Sequence, residues 1–199
     1  DHLHGVRDIK TEVKLRGQGI VFNGKQVSAL DLRYRNGKIR VTGSGGNTRV
    51  TAFEFNTTTP VQVLRKNNED KSHSYIGNLK VLVYDNGILI VNTLDLEEYL
   101  RGVVPKESVP SWPLESLKAQ ALAARSYAYY HTQTSSGRTY TDVDDTARFQ
   151  VFAGVSAAKP STDQAIKETK GEVMTHNGNV ITAFFHAYSG GRTDSAEKI

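Results

Sequence analysis

Four Asn-Gly pairs punctuate this chain, at Asn23-Gly24, Asn36-Gly37, Asn86-Gly87 and Asn177-Gly178. An Asn-Gly pair supplies two adjacent positive-φ positions, which a two-residue type I′ hairpin turn requires. Each pair is flanked by alternating or β-branched residues, so each marks a hairpin. Residues 30–35 are expected to pair with 38–42, and 79–84 with 88–93. Residues 49–55 and 61–64 are further strands. Residues 1 to about 93 therefore read as β structure. Gly43-Ser44-Gly45-Gly46 reads as a turn, because the alternative, a phosphate cradle, needs a following helix and none is expected.

Helix enters after that point. Asp95, Glu97 and Glu98 suit the first turn of a short helix ending near Val103, where acidic groups complement the positive end of the helix dipole. Pro105 and Pro110 then call for a loop, with Glu107 inside it. Ser111 is the expected N-cap of a long helix over about 113–130, with Pro113 in its first turn. Leu114, Leu117, Ala121, Ala124 and Ala128 form one apolar stripe, rich in alanine, so a neighbour can approach closely. A polar loop is expected at 137–141. A further helix is expected over 161–169, closed by Gly171, and then a hairpin pairing 172–175 with 180–187. The fold class is α+β: a β-rich N-terminal portion with hairpins, then a mixed helix/strand core built around one long Ala-rich helix.

Composition sets limits on function. With 38% hydrophobic and 23% charged residues the 199-residue chain can bury a real core. The absence of Cys rules out disulfides, a thiolate nucleophile, a Cys-ligated zinc and an iron–sulfur cluster. The net charge of +4 comes from scattered basic residues, which argues against a dedicated nucleic-acid binder and suits a weak attraction to another polyanion. No apolar run reaches membrane-span length. No signal peptide is legible at Asp1, which fits either a cytosolic protein or a chain that starts after its signal.

Two stretches hold the candidate chemistry. Glu107 stands near Val103, Val104, Val109 and Trp112. A carboxylate in apolar surroundings is costly to ionise, and that is how a general acid keeps its proton near neutral pH. The plainer reading is an exposed loop glutamate. On the long helix Glu115, Lys118, Leu122 and Arg125 share a face, either as ordinary surface ion pairs or with Arg125 turned inward toward Glu107 or an anionic substrate. Gln120, among alanines, needs a hydrogen-bond partner if buried. The second stretch is His186-Ala187-Tyr188-Ser189-Gly190-Gly191-Arg192-Thr193, where an expected strand runs into a Gly-Gly turn. His186 there is a base, a ligand, a substrate donor or simply structural. The six His residues show no ligand spacing, and Ser189 lacks the nucleophile-elbow pattern.

The ordered motifs EEYLRGVVPKES, WPLESLKAQALAARSYA, FQVFAG and TKGEVMTHNGNVITAFFHAYSGGRT resemble the SpoIID/LytB family over about residues 75–199. The resemblance implies a peptidoglycan lytic transglycosylase with Glu107 as the catalytic acid. It also implies substrate contacts from Arg125, Lys118, Gln120, Gln150, His186, Tyr188, Ser189, Gly190, Gly191 and Thr193. Some family members carry a zinc site with cysteines; without Cys, neither metal nor cofactor is expected here. The family usually continues past a tryptophan, so the catalytic portion is expected to end early at Ile199. Residues 1–74 form a separate β-rich region, a wall-binding or accessory module.

The implied partners are peptidoglycan glycan strands and a cell-wall amidase, with no nucleic acid and no membrane span, in an extracytoplasmic setting. LytB-type members are amidase enhancers, which gives a non-catalytic alternative. A two-carboxylate glycosidase drawing on Asp142, Asp144 or Asp145 is a third reading.

Overall fold

The computed structural model describes residues 2–5, 10–44, 46–65, 73–135, 140–186 and 190–191. Eight strands form one antiparallel sheet: β1 (His2–Gly5), β2 (Glu12–Phe22), β3 (Lys25–Arg35), β4 (Lys38–Gly43), β5 (Gly46–Val50), β6 (Ala52–Arg65), β7 (His73–Tyr84) and β8 (Gly87–Asp95). Their order is β1-β8-β7-β6-β2-β3-β4-β5. Helices α1 (Leu96–Glu107), α2 (Leu114–Thr134) and α3 (Pro160–Glu168) follow, then a two-stranded hairpin, β9 (Thr175–His176) and β10 (Asn179–Val180). The α+β class and the β-rich first part are as the sequence implies.

Turn chemistry accounts for the hairpins. Asn23-Gly24, Asn36-Gly37 and Asn177-Gly178 all occupy positive φ, between the partners Phe22 and Lys25, Arg35 and Lys38, and His176 and Asn179. The β7–β8 turn departs from expectation by one residue. Tyr84 pairs with Gly87, so Asp85 and Asn86 are the two positive-φ residues, at 45° and 57°, and Gly87 opens the strand. Asp and Asn both tolerate that conformation, and the shift keeps Ile88 and Ile90 on the core face. The expected 49–55 strand is broken at Thr51, where β5 ends and β6 begins. Gly43 pairs with Gly46, so β4 and β5 are antiparallel neighbours that meet at that glycine run.

Bulges curl the sheet. Register slips between Arg16 and Ile20 on β2 and between Thr57 and Val61 on β6, and a bulge bends its strand. The β3–β4 and β7–β8 turns come together as a result. The Tyr34 hydroxyl donates to Asn86 Oδ1, and Lys10 bridges Ile88. From Gly87 to Asn92 every residue of β8 is buried. One face joins the main core with Leu15, Ile39 and Val81, while Leu89 and Val91 pack with Leu82 on the other. Position 74 lies at the start of β7, which pairs with β6 on one side and β8 on the other.

Two helix boundaries differ from the sequence reading. Helix α1 does not stop at Val103 but runs through Pro105 to Glu107. The ring forfeits only one bond near the C-terminus. Val103 and Val104 are fully buried, and the last turn is fastened by Ser108, whose N–H and hydroxyl both donate to Val104 O. Helix α2 starts at Leu114 with Pro113, not Ser111, in the cap position, and continues to Thr134. The 172–175 and 180–187 hairpin shrinks to two residues per strand. Of the expected 137–141 loop, only 140 and 141 are described.

Residues 150–154 thread between α1 and β7. Ala153 N–H donates to Gly102 O, and Gly154 bridges Ser74 in parallel. Gly102 makes the approach possible. A Cβ there would strike the Phe152 ring and stand 2.8 Å from Gly154 O. Gly102→Ala is therefore expected to cost about 1–3 kcal/mol through overpacking. Thermal melting by circular dichroism should read this as a fall of roughly 2–4 °C per kcal/mol. An unchanged midpoint would show that this strip is not tightly seated on α1.

Candidate active site at the end of helix α1

Glu107 is the last residue of α1 and is half-buried. Its Oε1 accepts the Val151 N–H at 2.7 Å. That donor is held in place by its neighbours. Gln150, fully buried, donates its side-chain amide to Ala124 O on α2 and accepts the Tyr99 hydroxyl at its Oε1. Phe152 packs against Tyr99 and Tyr75. The carboxyl is thus positioned by a backbone amide on a strip clamped between two helices and the sheet.

Tyr99 lies beside this carboxyl. Burial first, and the negative charge of Glu107 next, push its hydroxyl well above the ordinary tyrosine range. Tyr99 remains a fixed O–H donor throughout the working pH range. Asp144 and Asp145 add smaller effects in the same direction. Asp142 accepts the Ser135 hydroxyl, and Asp144 accepts Thr146 N–H and Oγ1 in a local turn.

Arg125 faces inward but not toward Glu107. It is 1% exposed. Its Nε and Nη2 donate to the two oxygens of Glu97, both at 2.9 Å, a bidentate pair. Nη1 donates to Thr169 Oγ1 and Glu172 O, and Nη2 also donates to Ile166 O. Glu97 Oε1 in turn accepts Gly171 N–H. Every guanidinium nitrogen is occupied, and the group joins α1 and α2 to α3 and the chain beyond it. Among α2 residues on the same face, Lys118 pairs with Glu115 at 2.8 Å and Glu168 at 2.6 Å. These hydrogen bonds raise the Lys118 ammonium above the usual lysine range and lower the Glu168 carboxyl. Gln120 Nε2 is enclosed and has no partner among the described residues.

His186 is exposed at the end of the segment after β10, and Gly190 and Gly191 are exposed at positive φ. Tyr188, Ser189 and Thr193 lie outside the described residues. The sequence reading missed Glu97 as the partner of Arg125, Tyr99 behind Gln150, and an aromatic cluster. In that cluster Tyr127 meets His131 at 4.5 Å and Phe184 at 6.2 Å, and His131 meets Phe149 at 5.1 Å. It ties the segment carrying His186 to the one carrying Gln150. The Tyr127-Ala128-Tyr129-Tyr130-His131 run was the available signal. Among the described residues no three His, Asp or Glu side chains gather as metal ligands.

Comparison with known proteins bears on this site. Residues 84–176 match the model of the SpoIID family, described as stage II sporulation protein. That region, which contains Glu107, Lys118, Gln120, Arg125 and Gln150, is similar to the SpoIID family. An uncharacterized protein of Brachyspira hyodysenteriae is 42% identical over 125 residues, 63% of this chain and 34% of that protein. An amidase enhancer of Bacillus subtilis is 42% identical over 100 residues, 50% of this chain and 13% of that protein. Stage II sporulation protein D of Bacillus subtilis is 34% identical over 134 residues, 60% of this chain and 39% of that protein. The chain therefore spans well under half the length of each.

The clamp gives a direct prediction. Removing one partner of a buried, hydrogen-bonded ion pair strands the other, so Arg125→Met should cost about 3–5 kcal/mol. Urea unfolding measures this, and Glu97→Gln in the same background should add less than it does alone. Additive losses would mean the two residues act separately.

Proposed function

We propose that this chain acts on the bacterial cell wall, outside the cytoplasm, as a peptidoglycan lytic transglycosylase with Glu107 as its single catalytic carboxyl. The observation that carries the proposal is the fixed geometry at the end of α1. Val151 N–H holds Oε1 of a half-buried glutamate, which leaves Oε2 to carry the transferable proton. In the proposed reaction Glu107 protonates the oxygen linking N-acetylmuramic acid to N-acetylglucosamine. As that bond breaks, positive charge develops at the anomeric carbon. The muramic acid's own 6-hydroxyl attacks that carbon, and Glu107, now a base, takes its proton. The product is a 1,6-anhydro end and no water is consumed. The nucleophile is part of the substrate, so most of its orientation entropy is already met and a second carboxylate is unnecessary.

Similarity to the SpoIID family over 84–176 supports a role in the wall. The Gln120 amide nitrogen has no partner among the described residues, and a turn of its side chain would offer that donor to a sugar hydroxyl or acyl oxygen. Lys118 is held by Glu115 and Glu168, and an anionic glycan group would have to displace one of them to reach it. Gln150 serves from behind, by positioning Val151. Arg125 serves the architecture that holds α1 and α2 together. His186, Tyr188, Ser189, Gly190, Gly191 and Thr193 are proposed to line the glycan groove. No metal or cofactor enters this chemistry.

A second reading has one observation in its favour. The amidase enhancer of Bacillus subtilis is 42% identical over half of this chain, and Arg125, spent on Glu97, is not free to pair with Glu107. On that reading the protein stimulates a partner amidase and cleaves nothing itself.

Mass spectrometry of glycan strands, peptide-bearing and denuded, separates the two. Anhydro ends should form with the wild-type chain. They should fall at least about 100-fold with Glu107→Gln, the scale of a lost general acid. The melting temperature should barely move, because the amide oxygen still accepts from Val151. Ends heavier by one water would mean hydrolysis, and no cleavage with faster amidase turnover would favour the enhancer.

A further inference from the structure

We infer that the outer face of β2–β5 is a binding site for a phosphodiester polymer whose repeating unit carries no aromatic base. The face is defined by register. Glu12, Arg33, Arg40 and Arg49 are directly opposite one another across four strands. Leu64, Lys14, Asp31 and Thr42 form the adjacent row, and Arg35 faces Lys38 on the other side. Residues opposite in register share a sheet face, so these side chains project together. A cavity of about 440 Å³ opens among Glu12, Lys14, Asp31, Arg33, Arg40 and Leu64.

The charge on this face is uneven. Glu12 is spent on Arg33 at 2.9 Å, and Asp31 on Arg16 at 2.6 Å. Arg35, Lys38, Arg40 and Arg49 are exposed and have no carboxylate partner among the described residues. Like charges directly opposite in a sheet are destabilising, yet Arg33, Arg40 and Arg49 follow one another across three strands, and Arg35 opposes Lys38. Folding gains nothing from that arrangement, and an anionic ligand relieves it.

The type of ligand follows from the donors. Strands lie roughly 4.8 Å apart, so the cations present a dense ladder, suited to a polymer with an anion in every short repeat. Guanidinium forks match phosphate oxygens bidentately. Leu64 supplies an apolar wall for the carbon backbone of the polymer. Arg35, Arg40 and Arg49 alternate with residues of the opposite face, and no aromatic side chain shares their rows, so there is no platform for stacking a nucleobase. The site lies on residues 12–64, outside the SpoIID region, and it does not depend on the reaction proposed at Glu107.

The test uses the full chain and a fluorescent oligomer of glycerol phosphate, read by anisotropy at several salt concentrations. Binding is expected, weakening as salt rises. Arg40→Gln with Arg49→Gln should weaken it at least about tenfold and lower the slope of log affinity against log salt by about 1.4, two released contacts on a flexible strand. Arg35→Gln with Lys38→Gln should act in the same direction, and Glu107→Gln should leave binding intact. Circular dichroism should show both double variants folded, since they relieve repulsion. No binding at low salt would overturn the inference. Unchanged binding by both double variants would do so as well. Equal or tighter binding of oligothymidylate or polygalacturonate, of matched charge, would assign the face to a different class of polymer.

Discussion

The buried pairing of Arg125 with Glu97 holds the helical half of the molecule together. A guanidinium loses several kcal/mol of hydration when taken out of water. It is tolerated at 1% exposure because every nitrogen finds an acceptor and the planar fork matches both carboxylate oxygens. The acceptors come from distant parts of the chain: Glu97 in the first turn of α1, Ile166 near the end of α3, and Thr169 and Glu172 after it. Gly171 closes the arrangement by donating to Glu97. With α1 and α2 fixed to each other there, the gap between them at the other end of α1 is also fixed.

That gap receives residues 150–154. Gly102 and the alanines of α2 are small where the strip must approach, and Gln150 satisfies both of its polar ends on the two helices. Val151 then has one orientation available, with its N–H aimed at Glu107. The carboxyl at the centre of the proposed chemistry is held by a main-chain donor whose position is set by packing. Such donors need no reorganisation when charge moves on the acceptor, which is the property a proton-transferring site needs.

Much of the β half could be read directly. Asn23-Gly24, Asn36-Gly37 and Asn177-Gly178 each made the turn their residues dictate, because positive φ is a local steric matter. The Asp85-Asn86 turn was displaced because two adjacent registers were chemically acceptable, and the placing of Ile88 and Ile90 in the main core chose between them. The extension of α1 through Pro105 was hidden for a similar reason. Proline predicts a break from local sterics, whereas the burial of Val103 and Val104 is tertiary, and the two hydrogen bonds from Ser108 to Val104 O then close the last turn. Periodicity left Arg125 either in surface ion pairs or turned inward, and it gave no sign of its partner, 28 positions earlier.

The sequence by itself determined the class of the fold, most of the hairpin turns and the Ala-rich stripe of α2. All of these rest on backbone sterics or on periodicity. Only the tertiary structure decided what each polar group faces. It gave Arg125 to Glu97, Tyr99 to Gln150 and the Val151 amide to Glu107, and it lined up Arg33, Arg40 and Arg49 across three strands. The first three join positions far apart in the chain, and no local rule specifies them, whereas the step from Arg33 to Arg40 is already set by the Asn36-Gly37 turn. They follow from the requirement that buried donors and acceptors be satisfied, and from a strand register that is set only when the whole sheet closes on its core.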